Sequence, residues 1–126
     1  MEKIFYRCKV CGNLVGLVED GGAPMMCCGE KMQRLEPNSV DASHEKHVPV
    51  VSRDGEKLSV MIGGAEHPMT GEHYIVWIMV TQGNKTQRVS LTPQDKPKAD
   101  FTVNPDGELS VFAYCNLHGL WKKEVK

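Results

Sequence analysis

Residues 48–62 read VPVVSRDGEKLSVMI and contain the clearest structural pattern in the chain. Leu58, Val60 and Ile62 recur at every second position, which is the period of a strand with one buried face. The pair Asp54-Gly55 is a strong signal for the turn of a β-hairpin. We therefore predict two antiparallel strands, 48–52 and 57–62, joined by a tight turn.

The sequence after this hairpin continues the strand pattern. Short segments rich in β-branched and aromatic residues recur between turn signals, without a helical period, at 73–81, 86–92, 101–103 and 109–114. Short strands with frequent turns are typical of a β-sandwich. The chain is therefore predicted to be mainly β, with an immunoglobulin-like β-sandwich over residues 38–126.

The first 37 residues differ from the rest in composition. Four of the five cysteines lie within the first 28 residues, whereas all five histidines follow residue 40. A module of about 37 residues buries too little apolar surface to be stable without a staple such as a bound metal. Pro37, Asn38 and Ser39 mark a plausible boundary. We predict two domains, 1–37 and 38–126.

Charge and hydropathy exclude several classes of partner. The formal net charge is −1, so neither a nucleic acid nor a membrane surface is expected as a partner. No apolar run approaches the roughly 18 residues of a membrane span. Residues 1–8, MEKIFYRC, lack the apolar core and cleavage site of an export signal, so a cytoplasmic location is expected. In such a reducing compartment, five cysteines indicate metal binding or redox chemistry rather than disulfides.

The pattern Cys8-x2-Cys11 with Cys27-Cys28 supplies four thiolates. Four sulfurs in a tetrahedron suit zinc or a single iron, and thiolates alone do not distinguish these metals. The second pair is unusual, because adjacent side chains diverge and can bind one metal together only with a strained backbone. A disulfide between Cys27 and Cys28 and a purely structural zinc remain alternatives.

A second set of ligand types lies after residue 40, and it consists of His47, His67, His73, Cys115 and His118. A single histidine is more often a surface or hydrogen-bonded residue than a ligand. A rival partition joins Cys8 and Cys11 to Cys115 and His118 in a Cys3His zinc site. That partition leaves Cys27 and Cys28 unexplained and three histidines without a role.

Taken together, these motifs resemble those of the desulfoferrodoxins, the two-iron superoxide reductases. The first part is similar to desulforedoxin-type iron modules, through Cys8-x2-Cys11-Gly12-Asn13, Gly21-Gly22 and Cys27-Cys28. Four further motifs are similar to the second centre of the family: Glu45-Lys46-His47, His67-Pro68-Met69, His73-Tyr74-Ile75 and Cys115-Asn116-Leu117-His118-Gly119. The resemblance covers nearly the whole chain, and His44 lies outside its pattern.

The resemblance implies two iron ions per chain. The first would be bound by Cys8, Cys11, Cys27 and Cys28. The second would be bound by the nitrogens of four histidines in one plane and by an axial sulfur, and these ligands are His47, His67, His73, His118 and Cys115. Five protein ligands leave one octahedral position open opposite the sulfur, where a substrate can bind. The thiolate donates electron density to the metal.

The same resemblance implies an oxidoreductase that reduces superoxide by one electron to hydrogen peroxide, without producing oxygen. Lys46 would attract the anionic substrate and organise the water that supplies protons. Glu45 would fill the sixth position once the iron is ferric. Rubredoxin or a similar small carrier is the implied electron donor, and a homodimer is the implied assembly.

Three other functions compete with this one. They are a rubredoxin-like electron carrier that uses only the first iron, a zinc-stapled interaction module, and a superoxide dismutase. The carrier and the zinc module need no open site with five ligands, so the set of four histidines and Cys115 argues against both. A dismutase differs in its products, because it makes oxygen as well as peroxide.

Overall fold

The chain divides into two units, Met1–Glu36 and Pro37–Lys126. A computed structural model describes residues 3–40, 42, 44–63 and 67–126. Within these ranges, no helix is long and apolar enough to cross a membrane.

The first unit is built from five very short strands. They are β1 (Phe5–Arg7), β2 (Leu14–Gly16), β3 (Met26–Cys27), β4 (Glu30–Lys31) and β5 (Gln33–Arg34). Strands β2, β1 and β5 form an antiparallel sheet in that order, and β3 and β4 form a separate hairpin. Among the described apolar residues of the unit, those that are buried are Phe5, Cys8 and Met32. Such a small core agrees with the prediction that this unit needs a staple.

The second unit contains one helical turn followed by seven strands. They are α1 (His44–His47), β6 (Pro49–Asp54), β7 (Lys57–Ile62), β8 (Ile75–Gln82), β9 (Lys85–Ser90), β10 (Lys98–Thr102), β11 (Leu109–Cys115) and β12 (Gly119–Val125). The strands form two sheets, β10-β7-β6 and β12-β11-β8-β9, in which all neighbours are antiparallel. The predicted mainly β architecture is confirmed.

The core of the second unit lies between the two sheets. Leu58, Val60 and Ile62 are at most 2% exposed, as the period of two predicted, and they pack against residues of β8 and β11. The predicted hairpin is also confirmed, because Asp54 pairs with Lys57 and leaves Gly55 and Glu56 as the turn.

In the second unit, α1 and β12 were not predicted. Helix α1 is a single turn, closed by a 2.9 Å hydrogen bond from the N–H of Val48 to the carbonyl of His44, and so short an element has no detectable helical period. Strand β12, GLWKKEV, has two adjacent buried residues followed by three charged ones, and this composition hides the period of two. Its pairing with β11 is therefore decided by the sandwich.

The chain reverses repeatedly at one end of the sandwich. Helix α1 ends at His47 directly before β6, and His73 lies two residues before β8. At the same end, β11 finishes at Cys115, which pairs with Ile75 of β8 and with Gly119 of β12. This end therefore collects the segments that carry the predicted histidine and cysteine ligands.

Candidate metal centres

The four cysteines of the first unit lie close together. Their sulfurs are all within 4.8 Å of one another, and the Sγ atom of Cys27 is 3.6 Å from that of Cys11 and 3.9 Å from that of Cys28. Sulfurs bound tetrahedrally at about 2.3 Å from a metal are separated by about 3.8 Å. All five cysteines of the chain are free, so the alternative of a Cys27–Cys28 disulfide is wrong. The geometry fits a metal bound by four thiolates.

Backbone N–H groups point at the sulfurs of the loop between β1 and β2. The N–H of Cys11 lies 3.4 Å from the Cys8 sulfur, and the N–H of Asn13 lies 3.5 Å from the Cys11 sulfur. The loop is closed by a 3.0 Å hydrogen bond from Gly12 N–H to the carbonyl of Cys8. The N–H of Cys11 is the main reason that the pKa of Cys8 is lowered to about 6. This loop therefore favours the thiolate form of Cys8.

The adjacent cysteines occupy the hairpin between β3 and β4. Cys27 pairs with Glu30, so Cys28 and Gly29 form a two-residue turn with φ values of 54° and 75°. Turns of this kind require positive φ at both positions, which glycine adopts freely and cysteine adopts only with strain. The strain predicted for adjacent ligands is thus located at Cys28. Its pKa is raised to about 12 by hydrogen bonds to the neighbouring thiols, so four thiolates need a cation to neutralise them.

In the second unit, four histidine rings form a square. Ring centroids of successive members are 4.7 Å (His47–His67), 4.6 Å (His67–His73), 5.0 Å (His73–His118) and 4.8 Å (His118–His47) apart, and successive rings are nearly perpendicular. The diagonal from His47 to His73 is 6.3 Å. Half of this diagonal is roughly the distance expected from a metal ion to the centroid of an imidazole ring that binds it. That distance is the sum of a metal–nitrogen bond of about 2.1 Å and a ring radius of about 1.1 Å. The square therefore has room for one metal ion at its centre.

Ring nitrogens without a hydrogen-bond partner support this assignment. The Nε2 atoms of His67 and His73 are buried and make no hydrogen bond within the described part of the chain. The Nδ1 atom of His67 lies 2.7 Å from the carbonyl oxygen of Pro68, so Nδ1 carries the proton and Nε2 keeps a free electron pair. Burial lowers the pKa of His67 to about 4, so its ring is neutral at pH 7. A neutral imidazole with a buried free nitrogen is suited to binding a metal.

Cys115 brings a sulfur to the same group. It is fully buried, and its sulfur lies within 4.8 Å of ring nitrogens of His47, His67 and His73. His118 joins through Nδ1, which is 3.9 Å from this sulfur and 3.1 Å from Nε2 of His47. Burial raises the pKa of the Cys115 thiol, and the N–H groups of His118 and Leu117 oppose this shift. A thiolate here therefore needs a nearby cation.

The observed grouping of the ligand atoms does not support the rival Cys3His zinc site, which would join Cys8 and Cys11 to Cys115 and His118. Cys8 and Cys11 are grouped with Cys27 and Cys28, whereas Cys115 is grouped with histidines of the second unit. The structure thus brings together each of the two predicted ligand sets.

The loop between β11 and β12 explains how Cys115 and His118 converge. Cys115 pairs with Gly119, so only residues 116–118 form the loop. Gly119 has a φ of 80°, a conformation that other residues adopt only with strain. Three-residue hairpin loops commonly end in such a residue. The spacing of the two ligand types therefore follows from the hairpin geometry.

Two supporting residues were not predicted, Asn116 and Trp121. The Asn116 side chain donates a hydrogen bond to the carbonyl of Glu72 and accepts one from the N–H of Tyr74, both at 2.9 Å, so it holds the backbone on both sides of His73. Trp121 contacts His47 and His118. The contacts of Asn116 and the stacking of Trp121 on His47 could not be found from sequence, because they join residues more than forty positions apart.

Lys46 and Glu45, the predicted catalytic residues, are both exposed on α1. The pKa of His73 is lowered by burial, by His118 and also by the charge of Lys46, so this ammonium group acts on the histidine square. Glu45 lines a surface groove together with Val48, Pro49 and Lys123. No hydrogen bond or ion pair between Glu45 and the histidine rings is present in the described part of the chain. The ring of His44 meets Trp121 edge-on at 5.2 Å.

Comparison with known proteins identifies two family models that match the chain. The model described as the desulfoferrodoxin N-terminal domain matches residues 2–35, and the model described as desulfoferrodoxin matches residues 39–124. The first match includes the cysteines of the first group, and the second includes the four histidines and Cys115.

Individual relatives also match, two of the three named here over more than nine tenths of the chain. A desulfoferrodoxin homolog from Archaeoglobus fulgidus is 47% identical over 117 residues, covering 93% of this chain and 93% of the relative. A superoxide reductase from Pyrococcus horikoshii is 38% identical and covers 70% of this chain and 92% of the relative. The crystal structure of the superoxide reductase from Treponema pallidum matches with a TM-score of 0.77 and 31% identity, over 98% of this chain and 99% of that one.

Proposed function

The chain belongs to the desulfoferrodoxin family, and on that premise we propose that it is a superoxide reductase. The reaction is the one-electron reduction of superoxide to hydrogen peroxide, without production of oxygen. The observation that carries this proposal is the square of four histidine rings with the Cys115 sulfur beside it. Neither an electron carrier nor a structural zinc site needs such a group. Relatives and solved structures described as superoxide reductases support the same reaction.

Two irons per chain are assigned to the two groups. The first is bound by the four cysteines, in a desulforedoxin-like module proposed to comprise residues 1–37. The second is bound in the sandwich domain, residues 38–126, and its proposed ligands are His47, His67, His73, Cys115 and His118. The sulfur separations near 3.8 Å and the unpaired ring nitrogens support these assignments.

An iron held in the ferrous state by the histidines and Cys115 would supply one electron, and superoxide needs that electron and two protons to become hydrogen peroxide. The protein prepares the donor atoms for this metal. The Nδ1–H of His67 donates a hydrogen bond to the Pro68 carbonyl, which leaves Nε2 free for the metal, while burial keeps the ring neutral. The N–H groups of Leu117 and His118 stabilise negative charge on the Cys115 sulfur, and a thiolate makes the metal a better electron donor.

Lys46 and Glu45 are proposed to act on substrate and product. Lys46 attracts the superoxide anion and orients the water that delivers protons, and its influence on the pKa of His73 supports a position near the site. Glu45 is proposed as a carboxylate ligand of the ferric state. Because it lines a groove beside Lys123, its side chain must turn toward the histidines to take this role.

The remaining proposals concern the surroundings of the enzyme. The electron donor is proposed to be rubredoxin or a similar small carrier, which gives the chain a place in electron transport and in detoxification during oxidative stress. The assembly is proposed to be a homodimer, and the location to be the cytoplasm. The formal net charge of −1 supports the absence of a nucleic-acid partner.

The function is tested by metal analysis and visible spectra in both oxidation states, followed by superoxide consumption with oxygen measured. We expect two irons per chain, two distinct ferric spectra and no oxygen. A colourless protein that contains zinc would favour the interaction module. Thiolate–iron bands alone would favour the electron carrier, and stoichiometric oxygen would indicate a dismutase.

Replacement of the buried sulfur tests the second site directly. Cys115→Ser should abolish superoxide reduction, because a serine hydroxyl is not ionised at neutral pH and donates little electron density. The spectrum of the first iron should remain that of the wild type, since its four cysteines are unchanged. Activity retained in Cys115→Ser, measured by the rate of superoxide consumption, would contradict the assigned role of the sulfur.

A further inference from the structure

Trp121 is fully buried in β12, where it pairs with Ala113 of the strand that ends at Cys115. It is one of only two tryptophans in the chain. Besides the ring of His44, it contacts two residues of the histidine square, His47 by ring stacking and His118 by a hydrogen bond. These two contacts distinguish it from the aliphatic residues that fill the core.

The first contact determines the orientation of a ring. The indole lies parallel to the imidazole of His47, with centroids 4.9 Å apart and an angle of 21° between the planes. His67 and His118 meet the same imidazole at 74° and 80°. An imidazole that turned about its Cβ–Cγ bond would leave the parallel stack and lose this contact. Trp121 thus favours one plane for the His47 ring.

The second contact holds a backbone. The indole Nε1–H donates a 3.1 Å hydrogen bond to the carbonyl oxygen of His118. That carbonyl belongs to the short loop of residues 116–118, between Cys115 and Gly119. A buried indole N–H needs an acceptor, so breaking this bond is unfavourable. The position of the His118 backbone, and with it the direction of its ring, is thereby restricted.

From these contacts we infer that Trp121 is a positioning residue of the second metal centre. It fixes the ring plane of His47 and the backbone of His118, two of the four corners of the histidine square. The inference rests on the proposed assignment of these histidines as iron ligands. Residues that orient metal ligands commonly change metal affinity by about 10- to 100-fold when they are replaced.

The experiment uses the iron-loaded full-length protein and the variant Trp121→Phe, which keeps an aromatic ring but lacks the N–H donor. Trp77→Phe is the matched control, because Trp77 is also buried, lies in the same sheet and stacks on Tyr114 at 6.0 Å. The release of each iron to a ferrous chelator is followed by the loss of the absorbance of that iron site. The ferric spectrum and the melting temperature are measured on the same samples. Trp121→Tyr replaces Trp121→Phe should the latter not fold.

We expect the second iron to leave Trp121→Phe about tenfold faster than the wild type. Its ferric sulfur-to-iron band should shift, while release of the first iron should not change. Trp77→Phe should lower the melting temperature without either effect. The inference is overturned if Trp121→Phe changes neither the release rate nor the absorption band of the second iron. It is also overturned if Trp77→Phe changes both properties as much as Trp121→Phe does. The iron-release experiment uses no superoxide. A chain that holds two irons but fails to reduce superoxide would therefore overturn the proposed function and leave the inference about Trp121 standing.

Discussion

At the scale of single residues, Lys46 is a charged group on α1 that bears on the protonation of the histidines. It lies next to His47 in the chain, its side chain is exposed, and its charge contributes to lowering the pKa of His73 after burial and His118. Exposed charges act over a screening length of about 10 Å at 0.1 M salt. Lys46 is therefore suited to attracting an anion rather than to holding the fold together.

Lys46→Ala should slow the encounter with superoxide about tenfold at low ionic strength, because electrostatic attraction to the site is lost. The dependence of the rate on salt should become flatter. Rapid-mixing kinetics at several salt concentrations would measure both effects. Lys85→Ala is the control, because it changes the net charge by the same amount. Lys85 is the first residue of β9 and follows the end of β8, whereas His73 precedes the start of β8. Identical rates and salt slopes in the two variants would remove Lys46 from the mechanism.

At the scale of elements, each metal group depends on a hairpin whose turn supplies ligands. The turn between β3 and β4 contains Cys28, and the loop between β11 and β12 contains His118. Antiparallel pairing fixes the two strands on either side of a turn, so ligand positions follow from strand register. Helix α1 contributes differently, since it brings His47 to the start of β6 without a hairpin turn.

Gly29→Ala tests the hairpin that carries the adjacent cysteines. Gly29 has a φ of 75° and open space around its Cβ position, so an alanine is opposed by backbone conformation alone. The expected cost is about 1 kcal/mol, observed as faster release of the first iron and unchanged release of the second. Gly21→Ala is the matched control, because its surroundings are equally open and its φ is not positive. Equal release from both variants would show that the turn conformation does not matter.

At the scale of the whole molecule, the two units differ in what stabilises them. The sandwich has a continuous apolar core drawn from both of its sheets, including residues of β7, β8, β10 and β11. The first unit buries only Phe5, Cys8 and Met32 among its described apolar residues. Because burial of apolar surface is the main stabilising term, the first unit must depend on its metal far more than the sandwich does.

Removal of both irons with a chelator under reducing conditions should therefore unfold the first unit and leave the sandwich folded. Hydrogen exchange would report this directly, through loss of protection at the N–H groups of Leu17, Met32 and Leu35, which are hydrogen-bonded within the first unit. Protection in β8 and β11 should remain. Cys115→Ser, which keeps the first iron, should keep protection in both units. Persisting protection of the first unit without iron would disprove its dependence on metal.

Much of this organisation could be predicted from residue types and local spacing. The four cysteines, the hairpin over residues 48–62 and the strained turn at Cys28 are all local features, because each depends on residues close together in the chain. The two ligand sets were separated by counting cysteines and histidines, and the family resemblance assigned iron to both. Strand β12 and helix α1 escaped prediction because neither has a clear period.

Only the packed sandwich decides how the second group is arranged. His47, His67, His73 and His118 are spread over more than seventy residues, and pairing of β8, β11 and β12 brings their segments to one end of the molecule. The supports of the square, Asn116 against the backbone around His73 and Trp121 against His47, are likewise contacts between distant segments. Spacing along the chain can identify which atoms are able to bind a metal. Their directions in space are set by side-chain packing and by hydrogen bonds that form only when the strands have paired.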